Sequence, residues 1–352
     1  MTWVVHQPFE RKGTHVNTRT IDQALGSRSR RGSLVALAAA ITLTLDVGAA
    51  LASPAGLAQA ADAAFPVSVV DDEGMKVVIA AEPQRIISLS PANTEIVFAL
   101  GGGERLVGGT DFDDYPAAAS ELTPVATFTG VIMEQVVALE PDLVLAAGNS
   151  FTHPDDIARM RGLGYPVVVL YAPDVPTVLA DIELIGTAIG APSEAASMTA
   201  AMADQLDAIS AEAANAGSNP RTFYQIGSEP EIFGPAPDSF VADMVVLAGG
   251  DPITTGDPSA FSIPLEELVV ADPEVIVLGD ANYGVCPADV VIRPGWTEMT
   301  AVVNGDIRPV DDVPVTRPGP RLPQGLAALA LAIHPELELR DFPAGPSPCG
   351  TD

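Results

Sequence analysis

One segment of this chain occurs twice, and the two copies align without a gap at a separation of 132 residues (133 against 265). Residues 133–145 read MEQVVALEPDLVL, and residues 265–277 read LEELVVADPEVIV. Each copy has a Glu near its start, an acidic residue before Pro and an apolar run at its end, which predicts a short helix, a turn and a buried strand. A unit of this kind present twice in 352 residues predicts two lobes of similar build.

Short apolar runs alternate with helix-like segments through most of the chain. The runs lie at 85–89, 143–147, 167–171, 223–226 and 275–278. Because such runs between helices are typical of buried parallel strands, the predicted fold class is α/β. Ser90 followed by Pro91 predicts the start of a helix, and the glycines at 101–103 predict its end.

An Ala-rich stretch between the two copies predicts one long helix. It begins near Pro192, and Met198, Met202, Leu206 and Ile209 recur on one face at helical spacing. A helix of about 22 residues spans roughly 33 Å, so we expect a stiff connection that permits only a small hinge motion.

The predicted architecture is therefore two Rossmann-like α/β lobes joined by a single long helix. Its parts are an export segment (1–61), an N-terminal or first lobe (66–173), a helical connector (174–219), a C-terminal or second lobe (220–335) and a tail (336–352). A chain of this type binds its ligand between the lobes, at the ends of the strands.

The N-terminus has the pattern of a signal peptide. Basic residues at 28–31 precede an apolar run at 34–45, and Ala-x-Ala sites follow at 50–52 and 58–60. The run is too short for a typical membrane-spanning helix. The pair Arg30 and Arg31 also fits twin-arginine export, so we expect either that route or the general secretory route.

Cysteine usage and charge narrow the compartment and the partners. The two cysteines, Cys286 and Cys349, lie far from the export segment, which favours a soluble periplasmic protein over a lipoprotein. They form either a disulfide or two unpaired thiols. The formal net charge of −29 disfavours nucleic acid and anionic lipid as partners, and we expect a monomer.

No set of residues predicts catalysis. After export only His153 and His334 remain, so a three-histidine metal site is excluded, and no Gly-x-Ser-x-Gly elbow occurs. Cys286 has no His nearby in the sequence. We therefore expect no catalytic residue, no bound metal and no resident cofactor, with a chelatase-like enzyme on the same fold as the alternative from another class.

Aromatic residues on predicted loops are the candidates for a ligand-binding wall. They are Phe112, Tyr115, Phe128, Phe233, Phe261 and Trp296. Such rings face a ligand at low entropic cost, or each packs on its own lobe. Arg317 and Arg321 are notable in a chain with few cations, and they either hold a polar ligand group or form salt bridges with nearby carboxylates.

Three segments resemble the substrate-binding proteins of ABC importers for vitamin B12, haem and iron-siderophores. They are SLSPANTE at 88–95, DYP at 114–116 and the first repeat copy at 134–142. The resemblance covers about residues 83–335. It implies the class III periplasmic binding protein fold, with a helical backbone between the lobes.

The resemblance also implies roles for individual residues. Glu134 and Glu266, which the repeat matches, fall where the family docks on its permease, although acidic residues are common at helix starts in any protein. The ligand-binding positions fall on loop residues of both lobes: Phe112, Tyr115, Phe128, Phe233, Phe261, Asp312, Thr316 and Arg317. Phe stands here where the B12-binding members have Tyr or Trp, and the cysteines do not match their disulfide.

The predicted function is capture of a corrinoid, vitamin B12, in the cleft between the lobes and its delivery to the transmembrane subunits of an ABC permease. Cobalamin is large, nearly neutral and partly apolar, which suits Phe-lined walls with few polar contacts. Iron-siderophores or haem are the alternatives within the same importer family.

Overall fold

The computed structural model describes residues 64–149, 151–342 and 347–350 of the protein. The predicted export segment lies outside these residues. Within the described ranges, no helix is both long enough and apolar enough to cross a membrane.

The first lobe is built on a six-stranded sheet with a hairpin beside it. Its strands are β1 (Val67–Val70), β2 (Lys76–Ile79), β3 (Ile86–Ser88), β4 (Leu106–Thr110), β5 (Thr123–Thr127), β6 (Gly130–Val131), β7 (Leu143–Ala147) and β8 (Val167–Leu170). Strands β1 and β2 form the antiparallel hairpin, and the sheet has the order β6-β5-β4-β3-β7-β8. All its neighbours are parallel except β5 and β6.

Three helices connect the strands of this sheet. They are α1 (Pro91–Ala99), α2 (Met133–Ala138) and α3 (Pro154–Gly162), with short 3-10 helices at Gly103–Arg105 and Ala117–Glu121. Ser90 is the N-cap of α1 and Pro91 its first residue, as predicted, because the fixed φ of Pro suits the first turn.

The second lobe has a four-stranded parallel sheet in the order β10-β9-β11-β12. Its elements are β9 (Arg221–Gln225), α6 (Phe240–Leu247), β10 (Asp251–Pro252), α7 (Leu265–Ala271), β11 (Val275–Leu278), α8 (Pro287–Val290), α9 (Thr300–Asn304), β12 (Ile307–Pro309), α10 (Val313–Thr316) and α11 (Leu322–Ile333), with a 3-10 helix at Gly279–Tyr283. β7 and β11 have the predicted bounds, whereas β9 begins two residues earlier than predicted.

The repeat is visible in backbone conformation and in hydrogen bonds. The acidic residue before Pro has a positive φ in both copies, 45° at Glu140 and 46° at Asp272.

The hydrogen bonds of the two copies also match. The backbone N–H of Arg85 donates to Asp142, and its Nε donates to the carbonyl of Leu139 at the end of α2. In the second lobe the N–H of Arg221 donates to Glu274 and its Nε to the carbonyl of Ala271, at the same places in the unit. The two lobes therefore contain the same supersecondary unit.

Two helices lie between the lobes, α4 (Val175–Ile189) and α5 (Pro192–Ala214). α5 has 23 residues, and it buries Met202, Leu206 and Ile209 of the predicted stripe. These side chains belong to one apolar cluster that also contains Leu143 and Leu145 of β7 together with Val275 and Val277 of β11. The lobes therefore share a continuous core on the side of α4 and α5, which makes the connection stiff.

Each lobe has a second, separate core on the other face of its sheet. In the first lobe Val144 and Ala146 of β7 pack with residues of α2 and α3. In the second lobe Ile276 and Leu278 of β11 pack with residues of α7, α8 and α9. We call this face of each sheet, away from α4 and α5, the outer face.

The tail is attached to the second lobe by a disulfide. Cys349 is bonded to Cys286, which is the N-cap of α8. Cys349 also packs against the outer core of the second lobe. Of the two states that the sequence left open for these cysteines, the structure has the bonded one.

Candidate functional site

The carboxyl ends of the parallel strands define one edge of each sheet, which we call its ligand edge. In the first lobe β3 ends at Ser88, β4 at Thr110 and β5 at Thr127, so the loops that follow all lie at this edge. In the second lobe β9 ends at Gln225 and β11 at Leu278. Loops at strand ends are where open α/β sheets bind ligands.

Several of the predicted aromatic rings lie on these loops and are exposed. Phe112 follows β4, and Phe128 lies in the turn between β5 and β6. Phe261 is also exposed, and its carbonyl accepts a hydrogen bond from the N–H of Gly234, next to the half-buried Phe233. The structure thus brings Phe233 and Phe261 together in the second lobe, although they are 28 residues apart (261 less 233).

Trp296 packs on its own lobe, which is one of the two alternatives that the sequence left open for these rings. It is 3% exposed and packs in the outer core of the second lobe. The guanidinium of Arg293 lies over its ring, 4.8 Å from the centroid. An indole of this size next to several apolar residues is more stable inside that core than at a cleft wall.

Arg317 and Arg321 reach from the second lobe to a buried carboxylate of the first. Glu95 lies on α1, and its side chain is only 2% exposed. Arg317 Nη1 donates to Glu95 Oε1 at 2.8 Å. Arg321 binds both oxygens, with Nε to Oε2 at 2.8 Å and Nη2 to Oε1 at 2.6 Å. The bidentate contact of Arg321 and the single bond of Arg317 tie the lobes together through one carboxylate.

The same arginines hold the loop that follows β4. Arg317 Nη1 also donates to Asp114 Oδ1 at 2.6 Å. The guanidinium of Arg321 lies over the ring of Tyr115, 4.2 Å from its centroid. The DYP motif at 114–116 is therefore part of the contact between the lobes. Contact of Tyr115 and Arg317 with a ligand, which the resemblance implies, stays a prediction.

The ligand edge of the second lobe carries two carboxyl groups, Asp280 and Asp312, to which no arginine of the described residues donates a hydrogen bond. Asp280 follows β11, and both of its oxygens accept hydrogen bonds from Gln225 Nε2, at 2.9 and 2.8 Å. Arg293 Nη1 donates to Oε1 of the same Gln225 at 2.7 Å. Burial raises the pKa of Asp280, and the hydrogen bonds from Gln225 oppose that shift.

Asp312 is the most strongly shifted carboxyl group at this edge. Burial, together with the neighbouring charge of Asp311, raises its pKa to about 6. Its Oδ1 and the hydroxyl of Tyr224 are both buried without a hydrogen-bond partner among the described residues. The backbone carbonyl of Asp312 accepts from both the N–H and the hydroxyl of Thr316, so Thr316 closes the turn of α10.

Glu134 and Glu266 occupy matching places. Each is exposed and lies in the first turn of its helix, α2 or α7. Each helix leads into a parallel strand, β7 or β11, so it runs antiparallel to that strand and begins near the ligand edge. Both carboxylates are therefore at the ligand edge of their own sheet, on its outer face.

Three features of this region are not predicted from the sequence. Glu95 was noticed only as part of a motif, although it is the centre of the contact between the lobes. Phe151 and Tyr283 are the other two, and both are highly exposed near the ligand edge. The sequence signal for Phe151 and Tyr283 is their separation of 132 positions (283 less 151), which equals the separation of the two repeat copies.

Comparison with known proteins agrees with this architecture. The model of the periplasmic binding protein family matches residues 86–314, more than half of the chain. An uncharacterized ABC transporter substrate-binding lipoprotein of Bacillus subtilis is 33% identical over 276 residues, which cover 77% of this chain and 87% of the relative. A cobalamin-binding protein of Halobacterium salinarum is 31% identical over 323 residues, covering 87% of this chain and 85% of the relative.

A solved structure shows the same fold. A periplasmic heme-binding protein from Pseudomonas aeruginosa superposes with a TM-score of 0.63 at 26% identity, over 73% of this chain and 94% of that one. These relatives and neighbours are substrate-binding proteins of transporters, not enzymes. The two-lobed α/β prediction is confirmed, and the chain belongs to the periplasmic binding protein family as a substrate-binding protein of an ABC importer.

Proposed function

We propose that the chain captures a corrinoid, vitamin B12, between its two lobes and delivers it to the permease of an ABC importer. The observation that carries this choice of ligand is the pairing of Arg317 and Arg321 with Glu95 and Asp114. Both arginines are already neutralised, so an anionic ligand would have to break a buried ion pair to use them.

The rest of the two ligand edges suits a neutral ligand with amide groups. Phe112, Phe128 and Phe261 supply exposed apolar surface. Asp311 and Asp312 supply acceptors for amide N–H groups and repel carboxylates. The identity to a relative that is named a cobalamin-binding protein, 31% over 323 residues, supports the same choice.

Haem and iron-siderophores are the other candidate ligands, and the polar groups near the cleft favour them less. Haem proteins commonly bind the iron through a neutral His. Nδ1 of His153 accepts a hydrogen bond from the N–H of Asp155, so the neutral ring carries its hydrogen on Nε2. The exposed nitrogen is then a donor, which disfavours His153 as a metal ligand.

Delivery completes the proposal. The two exposed carboxylates Glu134 and Glu266 dock on the two transmembrane subunits of the permease, and they set the register through charge-assisted contacts. The protein acts outside the cytoplasm as a soluble monomer, exported by residues 1–61 and without a resident cofactor. The absence of a Cys next to that segment supports a soluble form, although one relative is a lipoprotein.

A ligand screen tests the choice of corrinoid. Cyanocobalamin at about 100 times its dissociation constant should stabilise the native state by about 2.7 kcal/mol, and the melting temperature should rise by about 5–10 °C. Haem and a ferric siderophore are measured beside it, with titration calorimetry for any that shifts the melt. A shift with haem or the siderophore, and none with cyanocobalamin at 1 mM, would exclude the corrinoid.

A further inference from the structure

The internal repeat matches two exposed aromatic residues that no role so far explains. Phe151 and Tyr283 are 132 positions apart, the same separation as Glu134 and Glu266. They are 81% and 80% exposed. Each follows the docking Glu of its own lobe by 17 positions (151 less 134, 283 less 266). Each lobe therefore presents one carboxylate and one aromatic ring at equivalent places.

The turn that carries Phe151 is held by hydrogen bonds. The N–H of Phe151 donates to the carbonyl of Gly148 at 3.1 Å. Thr152 is buried, and its N–H donates to the carbonyl of Ala147 while its hydroxyl accepts from the N–H of Ala147. The backbone of Phe151 and Thr152 is thus held to the end of β7.

The turn that carries Tyr283 is held in a similar way. Tyr283 ends the 3-10 helix Gly279–Tyr283, and the N–H of Gly284 donates to the carbonyl of Ala281. The side chain of Asn282 donates to Asp311 at 2.7 Å. Large aromatic rings held out in water on ordered turns are typical of surfaces that another molecule covers.

The turns that carry the two rings lead into helices on the outer face of each sheet, where the helices of the docking carboxylates also pack. Phe151 precedes α3, and Ile157 of α3 packs in the same outer core as Val136 of α2, the helix of Glu134. Tyr283 precedes α8, and Val290 of α8 packs in the same outer core as Leu268 of α7, the helix of Glu266. In each lobe the ring therefore lies on a turn at the ligand edge that leads into a helix of the outer core, and the docking carboxylate lies in the first turn of another helix of that core.

We propose that Phe151 and Tyr283 are hydrophobic anchors of the permease-docking surface, one for each transmembrane subunit. This inference rests on the proposed delivery function. A permease with two-fold symmetry offers the same pocket twice, so it selects a matched pair of rings, whereas one asymmetric ligand in a cleft needs no such match. The carboxylates set the register of docking, and the rings, once buried, supply apolar contact area.

The test compares variants of the full exported chain in two separate assays. Binding of the ligand-free protein to the cognate permease and ATPase subunits in nanodiscs is measured by interferometry, and cyanocobalamin binding is measured by calorimetry. Phe151→Ala with Tyr283→Ala should weaken binding to the transporter at least about tenfold. The affinity of this double variant for cyanocobalamin should stay within twofold of wild type. The same is expected of the reference variant Glu134→Ala with Glu266→Ala.

Two control variants make the result specific. Phe128→Ala with Phe261→Ala should lose cyanocobalamin affinity and keep binding to the transporter. Val270→Ala removes a side chain that is 85% exposed near the other end of α7, and it should change neither. Binding of the Phe151/Tyr283 variant to the transporter within threefold of wild type would overturn the inference, as would a loss of cyanocobalamin affinity equal to that of the Phe128/Phe261 variant.

Failure of the corrinoid proposal and failure of the anchor role give different results in these assays. If the wild-type chain does not bind cyanocobalamin, the corrinoid proposal fails, while the ligand-free docking assay still decides the role of the two rings. If the wild-type chain does not bind the transporter, the delivery function itself fails.

Discussion

The two lobes use one supersecondary unit, yet a carboxyl group near the ligand edge of one, Glu95, has very different surroundings from a carboxyl group at the ligand edge of the other, Asp312. At the edge of the first lobe, Glu95 is held between two guanidinium groups. At the edge of the second lobe, Asp312 has an oxygen without a hydrogen-bond partner among the described residues, and its pKa is raised to about 6. The shared backbone unit therefore does not determine how a carboxyl group near the ligand edge is paired.

The difference comes from where the cations lie. Arg317 and Arg321 both belong to the second lobe, but their guanidinium groups lie at the first. The arginines of the second lobe thus pair with Glu95 of the first lobe. Asp311 and Asp312 of the second lobe remain next to each other. Glu95 therefore stabilises the contact between the lobes, whereas Asp312 opposes folding whenever it is charged.

The largest expected effect comes from removing the charge of Glu95. Glu95→Gln leaves two half-buried arginines with a neutral partner, so the free energy of unfolding should fall by about 3 kcal/mol. Urea denaturation at pH 7 measures this value. Asp114→Asn is the matched control, because its side chain is 62% exposed and contacts the same Arg317; it should cost at most about 1 kcal/mol. Equal effects of the two changes would contradict the central place of Glu95.

A second prediction concerns the opposite case, Asp312. Because its folded pKa is about 6 and thus above the ordinary value for Asp, the folded state binds its proton more tightly than the unfolded state does. Stability due to this group is complete below about pH 4 and is lost as pH rises toward 6. Asp312→Asn should therefore be more stable than wild type by about 1–2 kcal/mol at pH 7.5.

The same variant at low pH is its own control. At pH 4 the wild-type carboxyl is protonated in the folded state and about half protonated in the unfolded state, so the two proteins should differ in stability by less than about 0.5 kcal/mol. Denaturation midpoints at pH 4, 5, 6 and 7.5 give the profile. A difference in stability that stays constant across this range would mean that the side-chain amide acts by packing or hydrogen bonding, not by removing a charge.

The sequence was sufficient to predict the repeated unit, the α/β class and the long helix, because periodic apolar residues and Pro determine local structure. β7 and β11 have the predicted bounds, and α5 buries Met202, Leu206 and Ile209 as the helical spacing requires. Strand ends were predicted less well: β8 ends at Leu170, one residue before Tyr171, whose side chain is exposed.

The partners of charged residues could not be predicted in the same way. Glu95 and Arg317 are 222 positions apart, so only the folded lobes bring them together. The sequence left open whether Arg317 binds a ligand or a carboxylate, since either suits an arginine between prolines. The burial of Trp296 could not be predicted either. A Pro- and Gly-rich stretch has the sequence pattern of a loop even where it covers a core.

The smallest expected effect tests how equivalent the two copies of the unit are. Arg221 Nε donates to the carbonyls of Ala271 and Asp272, and its guanidinium also contacts Glu274 at 3.2 Å. Arg85, at the same place in the first lobe, has one such bond, from Nε to Leu139 at 2.8 Å. Arg221→Met should therefore cost about 1 kcal/mol, and Arg85→Met about half as much.

Denaturation midpoints in urea at pH 7 measure both changes. The test depends on the order of the two values. Arg85 directly precedes β3 and Arg221 is the first residue of β9, and the two arginines differ in how many groups they contact at the end of α2 or α7. If Arg85→Met proves the more costly change, the strand-to-helix hydrogen bond in the first lobe matters more than the additional ion pairs in the second. The structural equivalence of the two units would then not extend to what stabilises them.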